Sequence, residues 1–267
     1  AFSVTANYYL ADCLLRDNQK QEALSCYEKV ISNPKNIFTE KSLLKVAEIN
    51  LENKDYEKSK QQYQRLEEIA EISSYKLQAM DGLMQSYFAL SQFDSAIICA
   101  NKLLSLDKLD EAVRERANYT LAKSLLANQN TGQAIEEFKR LTKAKNPEYA
   151  AEAQYTLAEL NFMAGKIDEA EKIIHQINAN PSSEYYLAKA FILWADIFKS
   201  KGNTLQAKQT LQSIIDNYEG DEELIETARQ KLISLTMQQE KTQQEKQEKR
   251  QEQQEAVDEI IIVDEPR

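Results

Sequence analysis

The sequence predicts an all-α fold, an α-solenoid of about six helical hairpins plus a closing C-terminal helix. Three observations carry this expectation. Only 5 Gly and 4 Pro occur in 267 residues, too few for a fold rich in tight turns or Gly-lined phosphate loops. Leu, Ala, Glu, Lys and Gln, all strong helix formers, dominate the remainder. Small residues recur at Ala23, Ser59, Ala96, Ala134, Ala170 and Ala207, with separations of 36, 37, 38, 36 and 37 residues. A period in this range marks stacked helical hairpins rather than a closed globule, because one hairpin is too small to bury its own apolar face.

The elements follow in chain order. The first repeat opens with Ala6-Asn-Tyr-Tyr-Leu-Ala11, breaks at Asp17-Asn-Gln and resumes around Ala23 and Tyr27. The second places Val46-Ala47 on its first helix, breaks at Asn53-Lys-Asp and resumes with Ser59 and Tyr63. The third is carried by Tyr87 and Ala96, the fourth by Ala117-Asn-Tyr-Thr-Leu-Ala122 followed by Ala134 and Phe138. The fifth repeats the opening as Ala153-Gln-Tyr-Thr-Leu-Ala158, breaks at Gly165-Lys-Ile-Asp and continues with Ala170 and Ile174. The sixth holds Trp194-Ala195, Gly202, Ala207 and Leu211. Apolar residues return at i, i+3, i+4 and i+7 in each run, the helical period. Gly165 and Gly202 can take the left-handed conformation that ends a helix, and Pro34, Pro147 and Pro181 are expected at the ends of second helices.

These residues resemble the tetratricopeptide repeat family. Its Leu-small pair corresponds to Leu10-Ala11, Val46-Ala47, Leu121-Ala122, Leu157-Ala158 and Trp194-Ala195. Its A-x3-F step corresponds to Ala23 with Tyr27, Ser59 with Tyr63 and Ala134 with Phe138, relaxing later to Ala170 with Ile174 and Ala207 with Leu211. The family's first Trp is nowhere kept, and Tyr87 alone matches its later Tyr well. Repeats longer than the family's usual length, with a Y-x-L-A signature, are similar to those of bacterial cell-envelope proteins, the Tol–Pal-associated periplasmic protein and outer-membrane assembly lipoproteins. The segment Ile214 to Leu232 resembles their terminal repeat and closing helix, with Glu219 in place of the usual Pro. The resemblance implies a periplasmic or outer-membrane-associated protein, a cytoplasmic location being the alternative.

Both ends depart from the repeats. Phe2 and Val4 lie at once inside a helical pattern, with only Ser3 available as a cap, so the native chain is expected to extend before Ala1 with further repeats or a processed export sequence. The array with its closing helix is expected over residues 1–236, and a charged Gln/Glu/Lys-rich tail over 237–267. Gln238 to Glu255 holds no apolar residue, so it should extend the closing helix as a solvated helix or act as a spacer. Ile260, Ile261, Ile262 and Val263 have the β-branched character of a strand that could add to a partner's sheet edge, with Asp258, Glu259, Asp264 and Glu265 opposing self-aggregation.

Charge and residue usage exclude several functions. The formal net charge is −10, without the basic stripe that displaces counterions from nucleic acid. No stretch reaches the length of a membrane span. The single His175 allows no His-rich metal site and reads as a partly buried structural residue; Trp194 reads as packing. Cys13, Cys26 and Cys99 form no CxxC pair and read as small packing residues. Neither a cofactor nor a metal is expected, and no motif supports an enzyme.

What remains is a non-catalytic scaffold that holds another protein or peptide on the inner face of the first helices. Register places Tyr8, Asp12, Glu48, Gln85, Phe88, Tyr119, Lys123, Tyr155, Glu159 and Phe162 there. Aromatic faces between charges supply anchors with few rotatable bonds and polar groups that orient a chain. The bland reading is that the tyrosines pack sideways between adjacent first helices. The runner-up function is a carbohydrate-binding subunit of a nutrient-uptake system, which would stack sugars on these aromatics.

Overall fold

The computed structural model describes residues 3–263, with side chains described through residue 251. Phe2, Asp264 and Glu265 lie outside the described residues, as do the side chains of Ile260–Val263. The chain falls into two compact units, Ala1–Ala153 and Gln154–Arg267. Among the described residues every regular element is an α-helix. In the first unit these are α1 (Val4–Arg16), α2 (Lys20–Ile31), α3 (Thr39–Glu52), α4 (Tyr56–Ile69), α5 (Ser73–Ala89), α6 (Phe93–Leu104), α7 (Glu111–Ala127), α8 (Thr131–Leu141) and the opening turns of α9 (Pro147–Met163). The second unit holds the remainder of α9 with α10 (Ile167–Ala179), α11 (Glu184–Ser200), α12 (Thr204–Asn217) and α13 (Glu222–Val263). Odd-numbered helices through α11 are first helices of hairpins, and α13 is the closing helix.

One local device makes every hairpin. The second residue after each first helix is left-handed: Asn18, Lys54, Ser91, Gln129, Gly165 and Gly202 all have φ between 57 and 77°. Each sits five residues before the recurrent small residue of its second helix. At Asn18 the next amide, Gln19 N–H, donates to Leu14 O at 2.8 Å while Asn18 N–H donates to Leu15 O at 3.1 Å. The same pair of bonds recurs at the other five turns, satisfying carbonyls that a helix end leaves open. Only two of the six positions are glycine, so the glycines revealed two turns and concealed four.

The small residues are the pivots of packing. Ala23, Ser59, Ala96, Ala134, Ala170 and Ala207 are all fully buried. Ser59 Oγ donates to Ala47 O at 3.0 Å across its hairpin, satisfying a hydroxyl that burial would otherwise strand. Four residues further on, Tyr27, Tyr63, Phe138, Ile174 and Leu211 form the bulky side of the same helix faces, all buried. Within the first unit, each of α2, α4 and α6 packs on its own first helix and on the next one. The tightest fit is that of Tyr63 on Gly82: a Cβ on this glycine would lie 2.1 Å from the tyrosine ring. In the second unit Ile174 and Ile177 of α10 pack with Ala190, Leu193 and Ile197 of α11, and α12 packs Ala207, Leu211 and Ile214 with Ala228 and Leu235 of α13.

Four expectations need correction. Pro147 does not end a second helix but opens α9, where its missing N–H and fixed φ suit a first helical position. The start of α1 is capped, since Ser3 Oγ accepts from Ala6 N–H at 3.4 Å. His175 is exposed on α10, its ring edge-on to Trp194 at 4.8 Å. Ile260–Val263 is helical at the backbone rather than extended, because α13 continues unbroken to Val263. From Gln238 through the last described side chain, α13 exposes every residue. Cys26 and Cys99 are buried thiols, Cys13 an exposed one. No helix among the described residues is long and apolar enough to cross a membrane.

Candidate functional site

Side by side, α3, α5 and α7 line a trough in the first unit. At its floor the Tyr63 ring of α4 fits against Gly82 of α5, where the missing Cβ leaves room for it. Across it, Arg116 of α7 grips Asp81 of α5 with two bonds, Nε to Oδ1 at 3.0 Å and Nη2 to Oδ2 at 2.7 Å. Such a fork fixes both position and orientation. Burial works against the Arg116 charge, yet the hydrogen bond to Asp81 and that carboxylate's field raise its pKa above the usual value.

The trough divides into two adjoining clefts. One, of about 410 Å³, is walled by Glu48, Glu52, Asp81, Gln78 and Gln85, with Leu44, Leu51, Tyr63 and Val113 beneath. The other, of about 320 Å³, is walled by Tyr56, Phe88, Tyr119 and Tyr149. Leu51, Gln85 and Arg116 border both. Three carboxylates line the first cleft, and each has a cationic partner: Arg116 on Asp81 within the lining, and Lys45 on Glu48 at 2.7 Å and Lys20 on Glu52 at 2.6 Å from outside it. The second cleft is aromatic.

The expected site residues divide accordingly. Glu48, Gln85, Phe88 and Tyr119 come together in the trough. Tyr119 is stacked on Tyr149 at 4.4 Å, and its hydroxyl donates to Glu152 at 2.7 Å. Burial, then this carboxylate, push the phenol's pKa above its usual range. Lys123 also pairs with Glu152, so this lysine is already engaged. Tyr8 and Asp12 stand apart from the trough. Tyr8 is buried, stacked on Phe38 at 4.3 Å with Lys41 over its ring at 5.1 Å. Asp12 accepts a hydrogen bond from the Tyr27 hydroxyl. Although burial opposes it, hydrogen bonds from Tyr27 and Tyr8 and the charge of Lys41 hold the Asp12 carboxyl below the usual range.

In the second unit Tyr155 is buried, its hydroxyl donating to Glu159 at 2.7 Å, with Lys189 lying 4.4 Å over its ring. Burial and then Glu159 raise its pKa. Phe162 packs against the cluster of Ile174, Leu193 and Ile197. Asp196 pairs with Lys231 of α13 at 2.8 Å, through both carboxylate oxygens. A separate pocket of about 320 Å³ between α11 and α12 is lined by Leu187, Phe191, Ile214 and Tyr218 with Glu184 and Glu219 at its rim.

Tyr8 and Tyr155 are turned sideways into packing, whereas Tyr119, stacked on Tyr149, also borders the aromatic cleft. Sequence reasoning missed Leu51, Tyr56, Gln78 and Tyr149. Tyr149 lies one repeat after Tyr119 but in the opening turn of α9, ahead of the register that was followed; its place before an A-x-Y-x-L-A run was the available signal. Among the described residues no group of three or more His, Cys, Asp and Glu is arranged to hold a metal ion.

Comparison with known proteins agrees with this fold. Two models described as tetratricopeptide repeat match the chain, one over residues 119–181 and the other over residues 5–36 and 184–220. No curated protein sequence matches it. Among solved structures it is similar to PilW, titled a widely conserved type IV pilus biogenesis factor, at 19% identity and a TM-score of 0.57, covering 85% of this chain and 98% of PilW. It is similar to Pseudomonas aeruginosa PilF at 14% identity and a TM-score of 0.58, covering 85% and 97%. YrrB, titled a tetratricopeptide repeat protein with an unusual peptide-binding site, aligns at 18% identity and a TM-score of 0.52 over 76% and 97%. These likenesses establish the fold. The repeat matches over residues 5–36, 119–181 and 184–220 fall on hairpins built by one recurring turn and one recurring buried small residue, and these hairpins are tetratricopeptide repeats.

Proposed function

We propose that the protein is a non-catalytic scaffold whose first unit holds a peptide segment of another protein in the trough of α3, α5 and α7. The observation that carries this is a cleft lined by ion-paired carboxylates adjoining an aromatic one, joined at Leu51, Gln85 and Arg116. A segment with a basic side chain toward Glu48 and Glu52, and an apolar one a few residues away toward Phe88 and Tyr149, meets both. Gln85, between them, offers its amide to the backbone. Aromatic walls give the larger part of the affinity, and the carboxylates set charge preference and on-rate.

A bacterial cell-envelope setting is the finer part of this reading. It is supported by the resemblance of the repeats to envelope proteins and by the likeness in fold to PilW and PilF. The carbohydrate-binding alternative gains no observation: the connections between hairpins are short, without the inserted loops that would build a sugar site.

Crosslinking capture from native cells, read by mass spectrometry, tests the reading. Phe88→Ala with Gln85→Ala should reduce recovery of the captured protein about tenfold or more while circular dichroism stays unchanged. Equal recovery by the folded double variant would remove the trough from the function.

A further inference from the structure

The sixth hairpin keeps the register of the second but not the side chains that close it. Counted from the left-handed residues Lys54 and Gly202, α4 and α12 begin and end at the same positions, and each is followed by an extended residue, Ala70 or Tyr218. In the second hairpin Thr39, Leu43, Leu66 and Ala70 are all buried. Two charged side chains seal the edge beside them. Glu40 accepts from Glu71 N–H at 3.1 Å, and Lys35 pairs with Glu71 while donating to Ile69 O, the last carbonyl of α4, at 3.2 Å. In the fourth hairpin Glu115 stands at the position of Glu40 and accepts from the Lys145 and Asn146 N–H groups.

In the sixth hairpin that position is Ala188, too short to reach the following loop. α11 also begins one turn earlier in register than α3, so helix carrying Glu184 replaces the loop that carries Lys35. What the two changes leave open is the pocket of about 320 Å³ between α11 and α12. Leu187, Phe191 and Tyr218, at the positions of Thr39, Leu43 and Ala70, are only partly covered there. None of the residues that line it is a lysine or an arginine. Among the described residues neither Glu184 nor Glu219 has an ion-pair or side-chain hydrogen-bond partner. Glu219 is thus the counterpart of Glu71 without its lysine.

We propose that this pocket is a second docking site, which takes a basic and apolar segment of another protein. An apolar side chain enters between Leu187, Phe191 and Tyr218. A neighbouring lysine or arginine pairs with Glu219 and with the last carbonyl of α12, that of Asn217, as Lys35 does with Glu71 and the Ile69 carbonyl. Charge selects the occupant. This chain's own tail brings Ile260–Val263 between Asp258, Glu259, Asp264 and Glu265, like charges against Glu184 and Glu219, and a second copy brings a net charge of −10. The site lies wholly in the second unit and is independent of the trough and of its occupant.

Ala188→Glu tests the proposal, because it restores the side chain that closes the second and fourth hairpins. Random peptides displayed on phage are selected in parallel on the 267-residue chain and on the Ala188→Glu chain, with circular dichroism as the check of folding. Should Ala188→Glu not fold, the Glu184→Gln, Glu219→Gln chain takes its place, since both positions are exposed. Peptides held by the unaltered chain and rejected by the variant should carry a lysine or arginine within a few residues of a large apolar one. A synthetic peptide of that class should lose about tenfold or more in affinity when Glu184→Gln and Glu219→Gln are combined. It should also bind more weakly as salt rises from about 50 to about 300 mM. Binding to the Gln85→Ala, Phe88→Ala chain should be unchanged, which separates this site from the trough. Recovery of no peptide that distinguishes the two chains overturns the proposal, and so does enrichment of acidic peptides. Competition by a synthetic peptide of residues 256–265 would assign the pocket to the chain's own tail, and self-association abolished by Ala188→Glu would assign it to a second copy; either result overturns it as well.

Discussion

Helix α5 and the second half of α13 are both helical, yet they are held by different forces. α5 fits Gly82 against Tyr63, buries Leu83 and Met84 fully or nearly so, and links to α7 through Asp81 and Arg116. Past Met237, α13 buries no described side chain, and one bond from Lys208 Nζ to Gln239 at 2.7 Å is its link to the array. In α5, tertiary packing supplies the stability and even tolerates a mid-helix glycine that costs about 1 kcal/mol in propensity. In the second half of α13, Gln, Glu and Lys supply helix propensity with no core contribution. Propensity alone makes a helix; register makes a repeat.

Four kinds of change test that contrast, from the largest effect to the smallest. Phe138→Ala empties a fully buried site beside Ala134 and should destabilise the fold by about 3–5 kcal/mol in urea denaturation. A loss below about 1 kcal/mol would mean that neighbouring helices collapse freely into the gap.

Gly82→Ala improves local helix propensity and so opposes the two forces directly. Its Cβ would overlap the buried Tyr63 ring, which must shift to admit it, and the expected outcome is a loss of about 1–3 kcal/mol. If the melting temperature rises instead, propensity outweighs packing in α5.

Lys54→Gly and Gln129→Gly relieve left-handed backbone at φ of 62° without touching the core. A left-handed L-residue costs about 1–2 kcal/mol, part of which the greater unfolded-state entropy of glycine cancels, so each should gain about 0.5–1 kcal/mol. The same change at an ordinary helical position such as Lys58 should lose about as much, and that pair of signs is the check by thermal denaturation.

Truncation after Met237 should be the mildest change, within about 0.5 kcal/mol of the intact chain, while lowering total helical ellipticity. A larger loss of stability would show that the exposed half of α13 does contribute to the array.

The fold class was legible because its determinants are local and recur. A small residue every 36 to 38 positions, runs of A-x-Y-x-L-A and polar breaks between them place each hairpin, since helix period and turn chemistry act within a few residues of sequence. The left-handed turns at Lys54, Ser91 and Gln129 were not legible as such, because the hydrogen bonds of the motif, not the residue type, select that conformation. The candidate site was legible only as a list of residues on one helix face. Glu48, Gln85, Phe88 and Tyr119 share a trough, whereas Tyr8 and Tyr155 are spent on packing. Each tyrosine's fate depends on its neighbour one repeat away: Tyr149 stacks on Tyr119, Phe38 on Tyr8, and Lys189 covers Tyr155. Those partners are chosen by how one hairpin sits on the next, a geometry set by side-chain volumes such as the missing Cβ of Gly82. The sequence by itself determined that hairpins form and repeat; only their packing decided which aromatic rings line a cleft and which close the core.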